Sequence, residues 1–108
     1  MPREIGPRDL AERLSLGLPT LLVDVREAWE REIASLPGDI HLPLDQFGEF
    51  GPALPSKEGT LVVLYCHQGV RSYAAAAYLE QKGRTDAVSL AGGIDLWSFE
   101  VDPKVPRY

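Results

Sequence analysis

The stretch LVVLYCHQGVRSYAAAAYLEQKG, residues 61–83, joins an apolar run to an alanine-rich segment through a short loop with the only cysteine of the chain, Cys66. The run over residues 60–66 is too short for a helix and almost entirely apolar, which predicts a strand buried on both faces. The segment from Val70 favours a helix, because alanine has high helix propensity and Gly83 lies where a C-terminal cap is expected. A buried strand that leads into a helix is typical of a parallel α/β sheet.

The part of the chain before this stretch shows the same alternation. PRDLAERLSLG, residues 7–17, predicts a short helix that packs through Leu10, Leu14 and Leu16. TLLVDV, residues 20–25, is another short apolar run and predicts a second doubly buried strand. REAWEREIAS follows and predicts a helix whose packing residues are Ala28, Trp29 and Ile33. A short strand is then expected over residues 40–42.

The remaining segments complete the pattern. FGEFGPALPSKEG, residues 47–59, is rich in glycine and proline and predicts an irregular connection or a single helical turn. A strand over residues 87–90, a diglycine turn and a short helix with Trp97 follow. Residues 100–108 lack periodicity, so we expect an extended tail that lies on the body or is loose. Strands that alternate with helices indicate a mostly parallel sheet covered on both faces.

The composition predicts an ordinary globular protein. Of 108 residues, 44% are hydrophobic and 25% charged, so we expect residues 1–108 to form a single domain. The formal charge of -5 disfavours direct binding to nucleic acid, which requires a basic face. A single cysteine excludes an internal disulfide and favours a reducing compartment. Because the sequence lacks a signal-peptide pattern and an apolar run of ~20 residues, we expect a cytoplasmic protein with no membrane partner.

Cys66 admits two interpretations. A lone cysteine is by base rate more often a small buried hydrophobe than a nucleophile. Its placement at the exit of a predicted parallel strand favours the second interpretation, because ligands of open α/β sheets bind beyond the carboxyl ends of the strands.

The loop CHQGVRS, residues 66–72, has features that stabilise an anion. Gly69 lets the backbone turn closely, and Arg71 brings a positive charge. The helix start near Val70 presents backbone N–H groups and a partial positive charge. These features favour the thiolate of Cys66, which is the reactive form of a thiol.

With these features in place, the sequence resembles the single-domain members of the rhodanese family of sulfurtransferases over nearly its whole length. The likeness is carried, in the family's order, by REIGPRDLAERL, LLVDVREAWE, GDIHLPL, VLYCHQGVRS and LAGGIDLW. The resemblance implies a rhodanese-like three-layer α/β domain, with a mostly parallel five-stranded sheet flanked by helices.

The resemblance also implies a chemistry. Cys66 would take a sulfane sulfur from thiosulfate or a persulfide donor and become a persulfide, with release of sulfite when thiosulfate is the donor. The outer sulfur would then pass to cyanide, to a thiol or to a sulfur-carrier protein. Two displacements on one nucleophile predict ping-pong kinetics. No cofactor is implied, and no metal site is expected because neither histidine has ligand partners at metal-binding spacing.

The family's active-site loop corresponds to residues 66–72 here. Cys66 would be the nucleophile, and the persulfide would be surrounded by the backbone N–H groups of His67, Gln68, Gly69, Val70 and Arg71. Arg71 would also attract the small anionic donor, and the Ser72 hydroxyl would contact the sulfur or the first helical turn. Many relatives have arginine directly after the cysteine, whereas His67 is at most partly charged near neutral pH. This difference weakens the affinity expected for thiosulfate.

The length of the loop separates two chemistries. Related phosphatases place five residues between cysteine and arginine, whereas only HQGV separates Cys66 from Arg71. A shorter loop fits a sulfur atom better than a tetrahedral phosphate, since donors must lie ~3 Å from the charge they stabilise. The loop therefore favours sulfur transfer over phosphoryl transfer.

Other notable residues have structural interpretations. Asp24 and Arg26 match the family's charged pair after its second strand. We expect Asp24 to cap the following helix and Arg26 to form an ion pair, so that both support the site at most indirectly. His41 is expected to be structural, because a thiolate that is already formed needs no general base. AGG, residues 91–93, predicts a tight turn and lacks the spaced glycines of a phosphate-binding loop.

Three alternatives to a sulfurtransferase stay open at this point. The first is a catalytically weak sulfur-relay or partner-binding module of the same fold. The second is a small cysteine phosphatase or arsenate-handling enzyme. The third is a domain in which the cysteine is an inert part of the core.

Overall fold

The computed structural model describes residues 2–108, in which five strands form one sheet. The strands are β1 (Arg3–Ile5), β2 (Thr20–Asp24), β3 (Ile40–His41), β4 (Leu61–Tyr65) and β5 (Ala87–Leu90). Their order across the sheet is β1-β5-β4-β2-β3, and each neighbouring pair is parallel. The predicted parallel five-stranded α/β fold is confirmed.

Five helices cover the two faces of the sheet. They are α1 (Pro7–Ser15), α2 (Ala28–Ile33), α3 (Leu44–Phe50), α4 (Val70–Gln81) and α5 (Gly93–Glu100). One core contains Val23, Phe47, Val62, Leu64 and Leu79, and so lies between the sheet and helices α3 and α4. The other contains Leu10, Val63, Tyr65, Leu90 and Trp97, on the side of α1 and α5. Successive residues of β4 thus face opposite layers, which explains why the whole strand is apolar. Within residues 2–108, the helices are too short or too polar to cross a membrane.

Several side chains predicted to pack are exposed instead. They are Leu14 on α1, Leu16 directly after its end, and Ala28, Trp29 and Ile33 on α2. The second helix has only six residues, and the side chain that it buries is that of Glu30. A carboxylate can take this inward position because it has charged and hydroxyl partners there, which a helical pattern of apolar residues does not reveal.

Residues 47–59, predicted to form an irregular connection or a single helical turn, contain the end of α3. α3 ends at Phe50, and a single 3-10 turn follows over Gly51–Ala53. Phe47 is only 2% exposed and meets the ring of Tyr78 on α4 edge to face, with ring centroids 6.3 Å apart. Burial of this aromatic ring outweighs the poor helix propensity of the glycine that follows it.

Residues 101–108 lie against the body of the protein, which was one of the two predicted outcomes. Val101, Val105 and Tyr108 pack on the core that contains α1 and α5. The Ser98 hydroxyl donates to the carbonyl of Val105 over 2.5 Å. This path brings Tyr108 back to the carboxyl ends of the strands.

Candidate active site

Cys66 directly follows β4. It therefore lies at the carboxyl ends of the strands, where ligands of parallel sheets bind. Its side chain is almost fully buried, at 1% exposed. The Sγ atom accepts hydrogen bonds from the backbone N–H of Gly69 at 3.1 Å and of Ser72 at 3.4 Å. The Ser72 hydroxyl lies 3.5 Å from the same atom. A sulfur surrounded by donors is stabilised when it carries negative charge.

The loop backbone is shaped by Gly69, which precedes α4. Its φ of 99° lies in the left-handed region, where side chains other than hydrogen are strained. A Cβ at this position would also lie 3.1 Å from the backbone nitrogen of Gly92. This conformation turns the Gly69 N–H towards the sulfur and starts α4 with its free N–H groups at the same side, so the helix dipole also favours an anion there.

The carbonyl groups of the loop are held by α5. The N–H of Ile94 donates to the carbonyl of Cys66 at 2.9 Å, and the N–H of Asp95 donates to the carbonyl of His67 at 3.0 Å. Gly93 makes this contact possible, because a Cβ there would lie 2.5 Å from the Cys66 carbonyl oxygen. The diglycine sequence is thus a turn, as predicted, and also the start of the helix that fixes the carbonyl side of the loop. With these carbonyls bound to α5, their negative ends are kept away from the sulfur.

Arg71 does not present a free positive charge. Its guanidinium donates to both oxygens of Glu30, at 2.6 and 2.8 Å. The hydrogen bonds to Glu30 raise the pKa of Arg71 further. Although burial opposes ionisation of Glu30, its hydrogen bonds with Arg71 and Tyr108 lower the pKa of its carboxyl to about 2. The pair is neutral as a unit, and that Arg71 attracts an anionic donor stays a prediction.

Asp24 and Arg26 form the expected ion pair, but Asp24 does not cap α2. Glu27 occupies the N-cap and forms a capping box with Glu30. The Asp24 carboxylate instead accepts from the backbone N–H of Arg26 and from its guanidinium, each at 2.9 Å. Because both side chains are fully buried, these bonds compensate for the loss of water around them.

Tyr108 joins this buried pair to the active-site loop. Its hydroxyl accepts from Arg26 at 2.9 Å and donates to Glu30 at 2.6 Å. Burial and the bond to Glu30 raise the pKa of Tyr108 to about 12, so the hydroxyl stays a donor at neutral pH. Its ring stacks on the imidazole of His67, with centroids 4.0 Å apart and planes 13° from parallel.

The remaining loop residues do not contact the sulfur directly. Val70 is 78% exposed, and Gln68 is also exposed. Among residues 2–108, the backbone N–H groups within hydrogen-bonding distance of Sγ are those of Gly69 and Ser72. That the N–H groups of His67, Gln68, Val70 and Arg71 surround an outer sulfur stays a prediction.

A groove of about 760 Å³ opens beside Arg71. Its lining combines the apolar Leu44 with the polar Glu27, His41 and Asp45. The Nε2 atom of His41 donates to the backbone carbonyl of Arg26 at 2.7 Å, in keeping with a structural role. In the described part of the chain there is no cluster of side chains suited to a metal ion.

Glu30, Tyr108 and Ser89 are site residues that the sequence did not single out. Glu30 contacts Arg71, which lies 41 residues later in the chain. Tyr108 contacts His67, which lies 41 residues earlier. Ser89, on the strand next to β4, contacts Ser72. The one local signal was the position of Glu30 three residues after Glu27, which predicts a capping box. Tyr108 lies in a segment without periodicity, so no sequence pattern indicated its contacts.

The chain is similar in sequence to known proteins. A family model described as a rhodanese-like domain matches residues 6–100. A sulfurtransferase of Allochromatium vinosum is 36% identical over 98 residues, which cover 91% of this chain and 90% of that protein. The probable adenylyltransferase/sulfurtransferase MoeZ of Mycobacterium tuberculosis is 38% identical over 106 residues, which cover 96% of this chain and 26% of that protein.

A solved structure shows the same fold over nearly the whole chain. The crystal structure of a rhodanese-related protein from Thermoplasma volcanium aligns with a TM-score of 0.81 at 29% identity, and the alignment covers 98% of this chain and 99% of that one. Other curated relatives are longer, and this chain spans 30% of one and 20% of another.

Proposed function

The chain belongs to the rhodanese-like domain family, and we propose from that membership that it is a sulfurtransferase in which Cys66 carries sulfur as a persulfide. The proposal rests on two hydrogen bonds: the backbone N–H groups of Gly69 and Ser72 both donate to the Sγ atom of Cys66. Such donors stabilise the thiolate that must attack a sulfur donor and that must leave again when the sulfur is passed on.

In the first half-reaction, the Cys66 thiolate attacks the outer sulfur of the donor. With thiosulfate, a new S–S bond forms at Sγ while the S–S bond of thiosulfate breaks, and its electron pair leaves with sulfite. With a persulfide donor, the donor's thiolate leaves in the same way. No net oxidant or reductant is needed, because the sulfane sulfur only changes its partner.

In the second half-reaction, the acceptor attacks the outer sulfur of the Cys66 persulfide. The bond between this sulfur and Sγ breaks, and its electron pair returns to Sγ. The donors at Sγ then stabilise the thiolate as it forms. Cyanide is the acceptor of a laboratory assay, and a thiol or a sulfur-carrier protein is the acceptor that we propose in the cell.

The charges around the site bear on the choice of donor. Because Arg71 is compensated by Glu30 and His67 follows the cysteine, attraction of a doubly charged anion is weaker than an uncompensated arginine would give. A persulfide donor is therefore favoured over thiosulfate. Similarity to the longer adenylyltransferase/sulfurtransferase supports a sulfur-carrier protein as the partner. A free thiol at the site agrees with a reducing, cytoplasmic setting.

Mass spectrometry of the intact protein tests the proposal. Incubation with thiosulfate, and separately with a low-molecular-weight persulfide, is expected to add roughly 32 daltons, one sulfur atom, and cyanide is expected to remove it. A Cys66→Ser variant must not gain this mass. If the wild-type protein gains no mass from either donor, sulfur transfer is wrong, and faster hydrolysis of an aryl phosphate would identify a phosphatase instead.

A further inference from the structure

Ser89 places a hydroxyl where a buried strand ordinarily has an apolar side chain. It lies on β5 and is fully buried, between Val88 and Leu90, which face the core on the side of α1 and α5. Since successive side chains of a strand point to opposite faces, Ser89 points towards α4. A buried hydroxyl destabilises the fold unless it is hydrogen-bonded, so the Ser89 hydroxyl requires a hydrogen-bond partner.

Within residues 2–108, the hydrogen-bond partner of the Ser89 hydroxyl is the hydroxyl of Ser72, at 2.7 Å. Ser72 lies in the first turn of α4 and is also fully buried. β5 pairs with β4 in a register that sets Ser89 beside Leu64, two residues before Cys66. Ser89 on β5 therefore contacts Ser72 on α4, and Ser72 in turn contacts the sulfur of Cys66.

The protons of the two hydroxyl groups can be assigned by counting acceptors. The Ser89 proton has one acceptor, the oxygen of Ser72. The Ser72 oxygen has two further neighbours, the carbonyl of Gly69 at 3.4 Å and Cys66 Sγ at 3.5 Å. If Ser72 donated to Ser89, the Ser89 proton would be buried without an acceptor, which is unfavourable. Ser89 is thus the donor, and the Ser72 proton is free for one of the other two.

Of these two acceptors, the sulfur is the stronger when it is charged. The Gly69 carbonyl already accepts the backbone N–H of Tyr73 at 3.1 Å. A thiolate attracts a donor more strongly than a neutral carbonyl does, and a hydroxyl that accepts one hydrogen bond becomes a better donor in the next.

We propose that Ser89 is a positioning residue for Cys66: its hydroxyl donates to Ser72 and thereby directs the Ser72 proton to the cysteine sulfur whenever that sulfur is anionic. In the proposed sulfur transfer, on which this role depends for its catalytic meaning, the effect is greatest when Cys66 leaves as a thiolate. The inference itself concerns only the thiolate, so it can be tested without any sulfur donor.

The test compares Ser89→Thr with Ser89→Val, two side chains of nearly equal shape that differ in the hydroxyl. The readout is the rate of Cys66 alkylation by iodoacetamide in the folded protein, with unfolding measured separately. At about pH 6, Ser89→Val is expected to react about fivefold more slowly than Ser89→Thr, the factor that a hydrogen bond of ordinary strength supplies. Arg71 and His67, the charged or titratable groups of the loop, are the same in both variants, so a difference in rate reports on the hydroxyl at position 89.

A second arm tests whether the effect passes through Ser72. Ser72→Ala alone is expected to slow alkylation at about pH 6 by roughly tenfold, since it removes a hydrogen bond to a charge. Adding Ser89→Ala in that background should then change nothing. Equal rates for Ser89→Thr and Ser89→Val, or an effect of Ser89→Ala that persists in the Ser72→Ala background, would overturn the proposal. Should the larger side chains prevent folding, Ser89→Ala against the wild-type protein gives the same comparison.

Discussion

The guanidinium of Arg71 donates hydrogen bonds of 2.6 and 2.8 Å to the two carboxylate oxygens of Glu30, which lies 41 residues earlier in the chain. This contact ties the end of the active-site loop to α2. Tyr108 donates to the same carboxylate at 2.6 Å, so that one buried acid is shared by the loop and by the last segment of the chain.

The Glu30 carboxylate is expected to make folding stability depend on pH in acid. Its pKa is about 2 in the folded protein, against an ordinary 4.5, so the stabilisation is present above about pH 4.5 and is lost as the pH falls towards 2. Glu30→Gln should lower the free energy of unfolding at pH 7 by about 2 kcal/mol, a value below that of a fully buried pair because Arg71 is partly exposed. Urea unfolding at pH 7 and at pH 3 measures both effects.

The exposed Glu58 provides the matched control. Glu58→Gln makes the same chemical change away from the site and should leave the loss of stability in acid intact. A Glu30→Gln variant whose stability falls between pH 7 and pH 3 as steeply as that of the wild-type protein would contradict the assignment.

Arg71→Lys is expected to behave more like a loss of Arg71 than like a conservative change. Lysine keeps the charge but cannot donate to both oxygens of Glu30 in a fixed fork. If the role of Arg71 is to hold the loop, kcat/KM for the sulfur donor should fall about tenfold, the effect of losing about 1.4 kcal/mol in the transition state. Steady-state kinetics with thiosulfate and cyanide measure this change.

Arg84 offers the control for this substitution, since it pairs with Asp86 at 2.7 Å, before the start of β5 and away from the active-site edge. Arg84→Lys should leave kcat/KM unchanged. Full activity of Arg71→Lys would mean that charge alone suffices.

The hydroxyl and the ring of Tyr108 are expected to have separable effects. Tyr108→Phe removes the acceptor of one Arg26 N–H and a donor to Glu30, and should lower the free energy of unfolding by about 1–2 kcal/mol. The ring would still stack on His67, so the His67 resonances in NMR spectra should change little. Tyr108→Ala removes both contacts and should shift those resonances as well. If Tyr108→Phe and Tyr108→Ala are equally stable and give the same His67 signals, the stacking has no role.

Local patterns predict the alternation of strands and helices and the position of Cys66, whereas the number of strands follows only from the resemblance to the rhodanese family. Apolar runs identify β2 and β4, and the alanine-rich segment identifies α4. β1 escapes prediction because its three residues lie at the sheet edge and are half-buried or exposed, so they carry no apolar pattern.

The partners of the loop could not be predicted in the same way. The charge of Arg71 is visible in the sequence, but its compensation by Glu30 requires knowing that α2 turns its acid inward. Likewise, nothing in residues 100–108 indicates that Tyr108 returns to His67. Such contacts join residues far apart in the chain, and a single sequence contains no signal for them.

Gly93 should be the least replaceable glycine of the site, for a reason that goes beyond backbone conformation. Its φ is 62°, and an added Cβ would lie 2.5 Å from the carbonyl oxygen of Cys66. Gly38 has a similar φ of 78° but no atom within 4 Å of an added Cβ. Gly38→Ala therefore measures the conformational cost alone, which is about 1–2 kcal/mol. Gly93→Ala should cost about 3 kcal/mol or more, because α5 must move off the loop.

The difference between the two variants should also appear in the chemistry of Cys66. When α5 shifts, the N–H groups of Ile94 and Asp95 lose the carbonyls of the loop, and the peptide groups beside the sulfur are free to rotate. Alkylation of Cys66 by iodoacetamide at neutral pH should then slow several-fold in folded Gly93→Ala protein and stay unchanged in Gly38→Ala. If Gly93→Ala is no less stable than Gly38→Ala and reacts at the wild-type rate, α5 does not fix the loop, and the orientation of its N–H groups must come from Gly69 and α4 alone.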